Sequence, residues 1–510
     1  MTVKFLQATV VAVALSLSVP VSVQADTSIT IYSRAQPGAV NPDLYRPTGG
    51  SGYFYGQSLP GYAIVRDDRK IELPRGRSEF QLTDVAALID PTTVSFGSLT
   101  DPDGTRVVEQ DFRFDLVGTA KLLSKYIDQT ITVTQGRGAD QRQISGTLLS
   151  IDGGMVLQRE DGSVEILTSW EHVRLGALPG GLLTRPTLVW DVTARRAGTH
   201  DTRISYETKG MTWWADYNLV WQPSKRNDNV GTLSVGAWVS LVNQSGTSFP
   251  ASRLKLIAGD VQRAPSAQSN AYLRRQVQEM AFAEAADVAG FEEKSFFEFH
   301  LYTLGRTTDL PNNATKQIEL FPQADAVPAI KRLIYNGFPQ GRYASYGNYD
   351  RNFGAQSNPK VDVYLEFDNR EKGGLGVPLP AGRVRVSQLD SADDSLEFIG
   401  EDVLDHTAKN QTIRLRLGSA FDVVGERKQT DFLSDRSRRL LEETIEITLT
   451  NRKDQAQAVT IAESLYRYAN WEIVDTNVPF TKIDSRTLHF DVDVPADGKR
   501  ILTFKVRYTW

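Results

Sequence analysis

The sequence predicts an all-β protein of several antiparallel β-sandwich domains, with one small SH3-like or Sm-like barrel and one helical connector. Three observations carry that expectation. Apolar and polar residues alternate with period 2 almost throughout, as in Val361-Asp362-Val363-Tyr364-Leu365-Glu366-Phe367, Ile413-Arg414-Leu415-Arg416-Leu417, Ile445-Glu446-Ile447-Thr448-Leu449 and Phe490-Asp491-Val492-Asp493-Val494. That is the pattern of strands with one buried face. Asp103-Gly104, Asp152-Gly153 and Asp161-Gly162 supply the positive φ that tight hairpins need. There is no cysteine in the chain, so no disulfide, thiol nucleophile or zinc-thiolate site exists and burial alone must stabilise it. For large domains this suffices, since they bury roughly 70% or more of their unfolded surface.

The first element is a leader, residues 1–25. Lys4 precedes an apolar run from Phe5 to Val23, and Val23-Gln24-Ala25 offers the small residues a signal peptidase reads, which predicts cleavage before Asp26 and export. No later apolar run approaches the ~18 residues of a membrane helix, and no cysteine is present for lipid attachment. The expected location is a bacterial periplasm, with the cell surface or the medium as alternatives. The chain holds 57 basic and 62 acidic residues, a formal net charge of −5. Basic residues are spread among acidic ones, without the basic patch a nucleic-acid partner requires.

Residues 26–118 read as an N-terminal β unit. Tyr62 to Arg66, Lys70 to Leu73, Glu79 to Leu82 and Thr93 to Phe96 are its short strands, and the Pro- and Gly-rich stretch Pro47 to Gly61 interrupts it as a surface loop. Residues 119–182 read as the small barrel. A helix from Ala120 to Ile127 carries Leu122, Leu123, Tyr126 and Ile127, and short strands follow at Ile131 to Val133, Ser145 to Ile151, Met155 to Gln158, Val164 to Ile166 and His172 to Leu175. Residues 183–264 form a β-sandwich region with longer strands, at Thr187 to Val192, Asp201 to Tyr206, Tyr217 to Trp221 and Gly231 to Val242. The helical connector occupies 265–294. Its helix runs from about Ser269 to Ala289, with Leu273, Val277 and Met280 on a weakly apolar face and Gly290 as its stop. A C-terminal β-sandwich region, 295–510, completes the chain.

Several stretches of that region resemble a secreted bacterial family called domain of unknown function 4139. They are Phe299-His300-Leu301-Tyr302-Thr303-Leu304 with Asp309-Leu310-Pro311, Pro378-Leu379-Pro380-Ala381-Gly382, Gly400-Glu401-Asp402 with Asp405-His406-Thr407, Gly418-Ser419-Ala420-Phe421-Asp422-Val423, and Val494-Pro495-Ala496-Asp497-Gly498 with Tyr508-Thr509-Trp510. Met211-Thr212-Trp213-Trp214-Ala215-Asp216-Tyr217 fits as well, so the resemblance spans roughly residues 185–510. Tyr62 to Val94 and the helix Leu122 to Ile127 resemble the N-terminal part of such proteins. The resemblance implies an exported β-rich protein and brings no activity and no catalytic residues.

Chemistry-bearing residues are sparse. Glu401, Asp402, Asp405 and His406 are the densest set of possible metal ligands. Their spacing matches no standard site, and the competing reading is a turn between two strands in which His406 or Asp405 bonds backbone amides. The five histidines, His172, His200, His300, His406 and His489, come with no Gly-x-Ser-x-Gly elbow. Paired carboxylates for glycoside cleavage, the basis of the alternative reading as a carbohydrate-active hydrolase, are a matter of spatial separation. Trp213 and Trp214 form a candidate aromatic face for sugars; on one strand they point to opposite sides, so only one of them can enter a core.

The Tyr-rich insertion holds the candidate interaction residues Tyr335, Phe338, Tyr343, Tyr346, Tyr349 and Phe353 among Gly, Asn and Ser. This is the composition of loops that bind through large rigid contacts and adaptable hydrogen bonds. In the last strand, Leu502, Phe504, Val506 and Tyr508 alternate towards Trp510. Both a sandwich strand and the closing strand of an outer-membrane barrel show that pattern. The reading that follows is an exported binding or interaction module for an envelope protein or polysaccharide, working without a cofactor. A hydrolase and an outer-membrane-associated β protein are the alternatives.

Overall fold

The computed structural model describes residues 26–33, 59–114, 117–136, 138, 141–177, 183–259, 261–262, 291–338, 349–352, 357–390, 392–393 and 395–510. The leader, most of the Pro- and Gly-rich stretch, the connector helix, and Tyr343, Tyr346 and Phe353 lie outside them. The chain divides into two compact units. One takes Ile64–Thr208 and the chain up to Ile29; the other takes Thr30–Ala63 and Lys209–Trp510.

The elements of the earlier part of the chain are β1 (Asp26–Ser33), β2 (Gly61–Leu73), β3 (Gly76–Leu82), β4 (Ile89–Ser98), β5 (Thr105–Arg113), α1 (Thr119–Lys125), β6 (Thr130–Gln135), β7 (Arg142–Ser150), β8 (Met155–Gln158), β9 (Val164–Leu167), β10 (His172–Arg174), β11 (Thr187–Ala194) and β12 (Gly198–Thr208). In the first unit β12 pairs antiparallel with β4, and β11 pairs antiparallel with β3 and β5 on its two sides. This pairing draws β11 and β12 into the N-terminal unit, whereas the order of the sequence places them in a separate region beginning at residue 183. Trp190 of β11 is the anchor. It is fully buried, its ring centroid 5.2 Å from that of Phe96 and 6.2 Å from that of Phe80, and its Nε1 donates to Gln110 Oε1 at 2.8 Å.

The segment expected as a small barrel has its helix and five strands where the sequence places them, and they enclose a core of Leu123, Tyr126, Ile131, Val133, Ile144, Leu148, Met155, Leu157 and Leu167. The sheet order is β10-β6-β7-β8-β9. The barrel does not close: among the described residues no ladder joins β9 to β10. The physical reason is strand length, since β9 has four residues and β10 three. Only Leu167 of β9 reaches the core, and Ile166 stays 68% exposed.

The second unit contains β13 (Met211–Ser224), β14 (Asn227–Asn243), β15 (Phe249–Ala258), β16 (Phe291–Phe296), β17 (Phe299–Leu310), β18 (Ala314–Tyr335), β19 (Lys360–Asp368), β20 (Gly382–Leu389), β21 (Leu396–Leu404), β22 (Thr412–Asp435), β23 (Leu440–Asn451), β24 (Gln457–Ser464), β25 (Asn470–Thr476), β26 (Thr481–Lys482), β27 (Thr487–Val494) and β28 (Lys499–Thr509). Residues 291–294, assigned to the connector by the sequence, are part of β16. Strands β15, β17 and β16 form an antiparallel ribbon. A larger sheet runs β21-β20-β13-β14-β18-β19-β22-β23-β28-β25, with β24, β27 and β26 branching from β18.

Among the described residues two pairings in this sheet are parallel, β13 with β20 and the three-residue contact of β18 with β24, where period-2 alternation alone suggests antiparallel strands throughout. The sheet also curls, bringing β21 back towards β22. Gly400 permits the approach, because a Cβ there would lie 2.4 Å from the Leu417 carbonyl oxygen.

Strands β22, β23 and β28 form one layer of a sandwich and β24 with β27 the other, around a core that includes Ile445, Ile447, Val459, Ile461, Phe490 and Phe504. Leu502, Phe504, Val506 and Tyr508 of β28 are all buried in it, and β23 and β25 cover the two edges of β28. The alternation at the chain end is thus used by the protein's own core.

The opposite face of β28 carries ion pairs. Lys505 and Arg507 each approach Glu442 to 2.6 Å, and the Lys505 hydrogen bond is the main reason the Glu442 carboxyl is held below its ordinary value of 4.5. A depressed carboxyl contributes stability above the unfolded pKa and loses it as pH falls through the folded one. Glu442→Gln is therefore expected to be destabilising at neutral pH and nearly silent in acid. Urea unfolding at roughly pH 7 and pH 3 checks this, and an equal loss at both contradicts it.

Candidate functional site: aromatic rings on a buried ionic core

The site begins with a departure from alternation. Period 2 carries Val423 and Gly425 of β22 on to Arg427, Val459 and Ile461 of β24 on to Glu463, and Ile447 and Ile445 of β23 back to Glu443. Three charged groups therefore sit on inward positions, and each is buried. Burial of an ion is costly unless it is paired and hydrogen-bonded.

The pairing is supplied across strands. Arg427 donates from Nε and Nη2 to Glu463 Oε1 at 2.9 and 2.7 Å. Arg467, just beyond β24, donates from Nε to Glu443 Oε2 at 2.8 Å, with side-chain exposures of 0% and 1%. The Tyr508 hydroxyl donates to Glu443 Oε1 at 3.0 Å. Burial, with Glu443 beside it, pushes the Tyr508 hydroxyl well above the ordinary tyrosine range. Burial likewise raises the Glu463 carboxyl, against the pull of Arg427, and pushes Tyr466 up to about 12.

The Tyr-rich insertion is tied to this core at both roots. Arg467 Nη1 donates to the Asp350 carbonyl at 2.9 Å, and the Arg427 amide donates to Ser357 Oγ at 2.8 Å. Asn358 bridges the two arms, its amide donating to the Gly337 carbonyl at 3.0 Å and its Nδ2 to the Asn336 carbonyl at 3.1 Å. The Phe338 ring centroid lies 4.9 Å from that of Tyr466, and Arg427 lies 5.9 Å from the Phe338 ring.

Beside this core stands a half-buried aromatic trio. Tyr468 and Trp510 stack at 4.5 Å and 11°, and Tyr349 meets them edge-on at 5.6 and 4.9 Å. Arg436, exposed in the β22–β23 turn, holds its guanidinium 4.7 Å from the Tyr349 ring centre, within cation–π range. Burial and the hydrogen bond with Tyr349 push the Tyr468 hydroxyl up to about 12.

Of the six interaction residues read from sequence, Phe338 and Tyr349 belong to this assembly. Tyr335 does not lie in a loop: it ends β18 and is fully buried, with its ring against Gly425, where a Cβ would lie 2.1 Å from it. It falls on an inward position at the strand's end, and the glycine opposite makes room for it. Tyr343, Tyr346 and Phe353 fall outside the described residues. Tyr468, Trp510, Arg436 and the four buried charges were not among the candidate site residues read from the sequence. The available signal was Glu443 in line with Ile445, Ile447 and Leu449.

Trp213 and Trp214 are consecutive in β13 and take opposite faces, as period 2 requires. Trp213 is 2% exposed with its ring edge towards Tyr302 at 6.3 Å, and Trp214 is half-buried.

Glu401 and Asp402 lie inside β21 rather than in a connection between two strands, because β21 pairs with β20 instead of turning directly into β22. Their side chains consequently diverge. Asp402 accepts the Val403 and Arg416 amides at 2.8 and 2.7 Å, and His406 Nδ1 accepts the Ala381 amide at 3.1 Å. The Asp405 carbonyl accepts the Thr407 hydroxyl. Among the described residues no three His, Asp or Glu side chains gather as a metal site.

His200 and His300 are similarly engaged. His200 and Ser98 are both buried, 3.0 Å apart through Nδ1 and Oγ, and His200 Nε2 meets the Arg196 carbonyl at 3.1 Å. A carbonyl only accepts, so in the neutral ring Nε2 donates to it and Nδ1 accepts from Ser98. Burial keeps this serine from any substrate. His300 pairs with Glu293 at 2.6 Å on the β16–β17 ribbon, His172 is exposed in β10, and His489 is half-buried in β27. Glu443 and Glu463, two buried carboxylates of this core, are each held by an arginine out of solvent reach.

No family model matches the chain, and no curated protein matches it.

Proposed function

We propose that this chain is an exported envelope protein akin to the family called domain of unknown function 4139, and that it works as a binding module for an envelope protein or polysaccharide. The reading rests on one observation: half-buried Tyr349, Tyr468 and Trp510 are mounted on a doubly ion-paired core that fixes their positions before any partner arrives. Rings held in place lose little conformational entropy on contact, which is what makes aromatic residues frequent anchors of interfaces. The burial of the apolar face of β28 supports a protein that keeps this strand for its own core rather than for lipid.

Affinity capture from envelope extract tests the reading. Trp510→Ala is expected to weaken retention of the bound material roughly thirtyfold or more, the scale of a hot-spot residue, with circular dichroism unchanged. Retention equal to that of the parent protein would remove the aromatic trio as the binding surface.

The ties at the roots of the insertion also sharpen a deletion experiment. Removing residues 337–353 takes away Phe338, Tyr349 and the Asp350 carbonyl that Arg467 bonds, so it is expected to lower thermal stability. Removing 339–348 spares all three and is expected to lower the melting midpoint less than the longer deletion does. Equal midpoints for the two deletions would contradict the structural role given to the roots.

A further inference from the structure

Resting on the binding-module reading, we propose that the aromatic trio and the adjoining β22–β23 turn together bind an anionic polysaccharide, one whose sugar rings carry carboxylates. The turn reads Asp435-Arg436-Ser437-Arg438-Arg439. Asp435 Oδ1 accepts the amides of Ser437 and Arg438 at 3.0 and 3.1 Å and the Ser437 hydroxyl at 2.6 Å. These bonds preset the turn and hold the Asp435 carboxyl below its ordinary range, the Ser437 hydroxyl first among the causes.

Three arginines project from that frame, all exposed. Arg436 lies on Tyr349, and Arg438, 79% exposed, reaches only to 3.5 Å from Asp435. Arg439 occupies a left-handed backbone position, φ 52°, where glycine or asparagine is the unstrained choice. A turn that accepts this strain to carry a third guanidinium, in a chain of net charge −5, points to an anionic ligand.

The rings and the guanidiniums are continuous. Trp510 touches Tyr349, and Tyr349 lies under Arg436. An aromatic face matches the C–H face of a sugar ring, and the planar fork of arginine matches a carboxylate bidentately. A neutral glycan would use the first and leave the second idle. Of the acidic groups in these two segments, Asp435 is hydrogen-bonded by the turn, and Asp350 Oδ1 accepts the Asn352 amide at 3.0 Å.

The test is isothermal titration of the full-length mature protein with a soluble polyuronate and with the same polymer after carboxyl reduction, which removes the charge and keeps the sugar backbone. The polyuronate is expected to bind at least tenfold more tightly, with affinity falling as salt rises. Arg436→Gln combined with Arg438→Gln should abolish that difference. Arg439→Gly should weaken polyuronate binding while the melting midpoint stays level or rises, because glycine relieves the left-handed strain; a purely structural role for Arg439 predicts the reverse.

Equal binding of both polymers, indifferent to the arginines, would overturn the anionic ligand and leave the aromatic trio as a binding surface. Absence of binding to either polymer, with envelope-protein capture still lost in Trp510→Ala, would overturn the polysaccharide and retain the binding module. Failure of both polymer binding and capture would overturn the two readings together.

Discussion

Arg467→Ala is expected to destabilise the unit that contains Lys209–Trp510 by about 3–5 kcal/mol, the usual cost of leaving one partner of a buried ion pair alone. Glu443 would keep the Tyr508 hydroxyl at 3.0 Å but lose the Arg467 Nε bond at 2.8 Å while staying buried. The Asp350 carbonyl would lose the Arg467 Nη1 bond at 2.9 Å as well, and the Phe432 ring the guanidinium 4.8 Å away. The loss should appear as faster hydrogen exchange across β22, β23 and β24 and a lower urea midpoint. Glu443→Leu combined with Arg467→Met should recover most of the loss, because apolar residues of similar volume often replace a buried pair at little net cost. If the double variant is as unstable as the single one, the pair contributes something other than its own neutralisation.

Trp190→Ala should cost a similar amount, about 3–5 kcal/mol, in the other unit. The indole is fully buried in β11 between strands that pair with it on both sides, so the cavity cannot collapse without moving backbone. Its removal also leaves Gln110 Oε1 without the Nε1 donor at 2.8 Å, although Gln110 Nε2 still donates to the Pro91 carbonyl. Trp190→Phe separates the two contributions: it keeps most of the packing against Phe96 and Phe80, and its expected loss is smaller. Differential exchange should localise to β3, β5 and β11 in both variants, and a change spread evenly over the chain would argue against Trp190 as the anchor of this sheet.

Both sites show where alternation informs and where it stops. Period 2 marked Leu502, Phe504, Val506 and Tyr508 as one face, and that face is buried. The same rule, continued two residues beyond Ile445, places Glu443 in the core. A strand residue faces inward or outward according to its position on the pleat and irrespective of its charge, but alternation cannot say which arginine will meet it. The partners of Glu443, Arg467 and Tyr508, lie 24 and 65 residues away.

The aromatic trio was hidden for a related reason. Tyr349 is in the insertion, Tyr468 follows β24, and Trp510 ends the chain, so only the packed sandwich brings them together. Tyr335 fell on the other side of the same line: its Tyr-Asn-Gly context reads as a loop, and the space opposite Gly425 makes it core.

Local rules therefore determined what depends on neighbours a few residues apart: the β class, the short helix before the five-stranded sheet, the faces of the strands, and the opposed directions of Trp213 and Trp214. Tertiary structure decided what depends on which strands meet. It left the small sheet open, set β20 parallel to β13, drew β11 and β12 into the first unit, and joined two buried ion pairs to three half-buried rings. A residue's face is fixed by the pleat it stands on, whereas its partner is fixed by long-range pairing, and long-range pairing leaves little trace in local sequence.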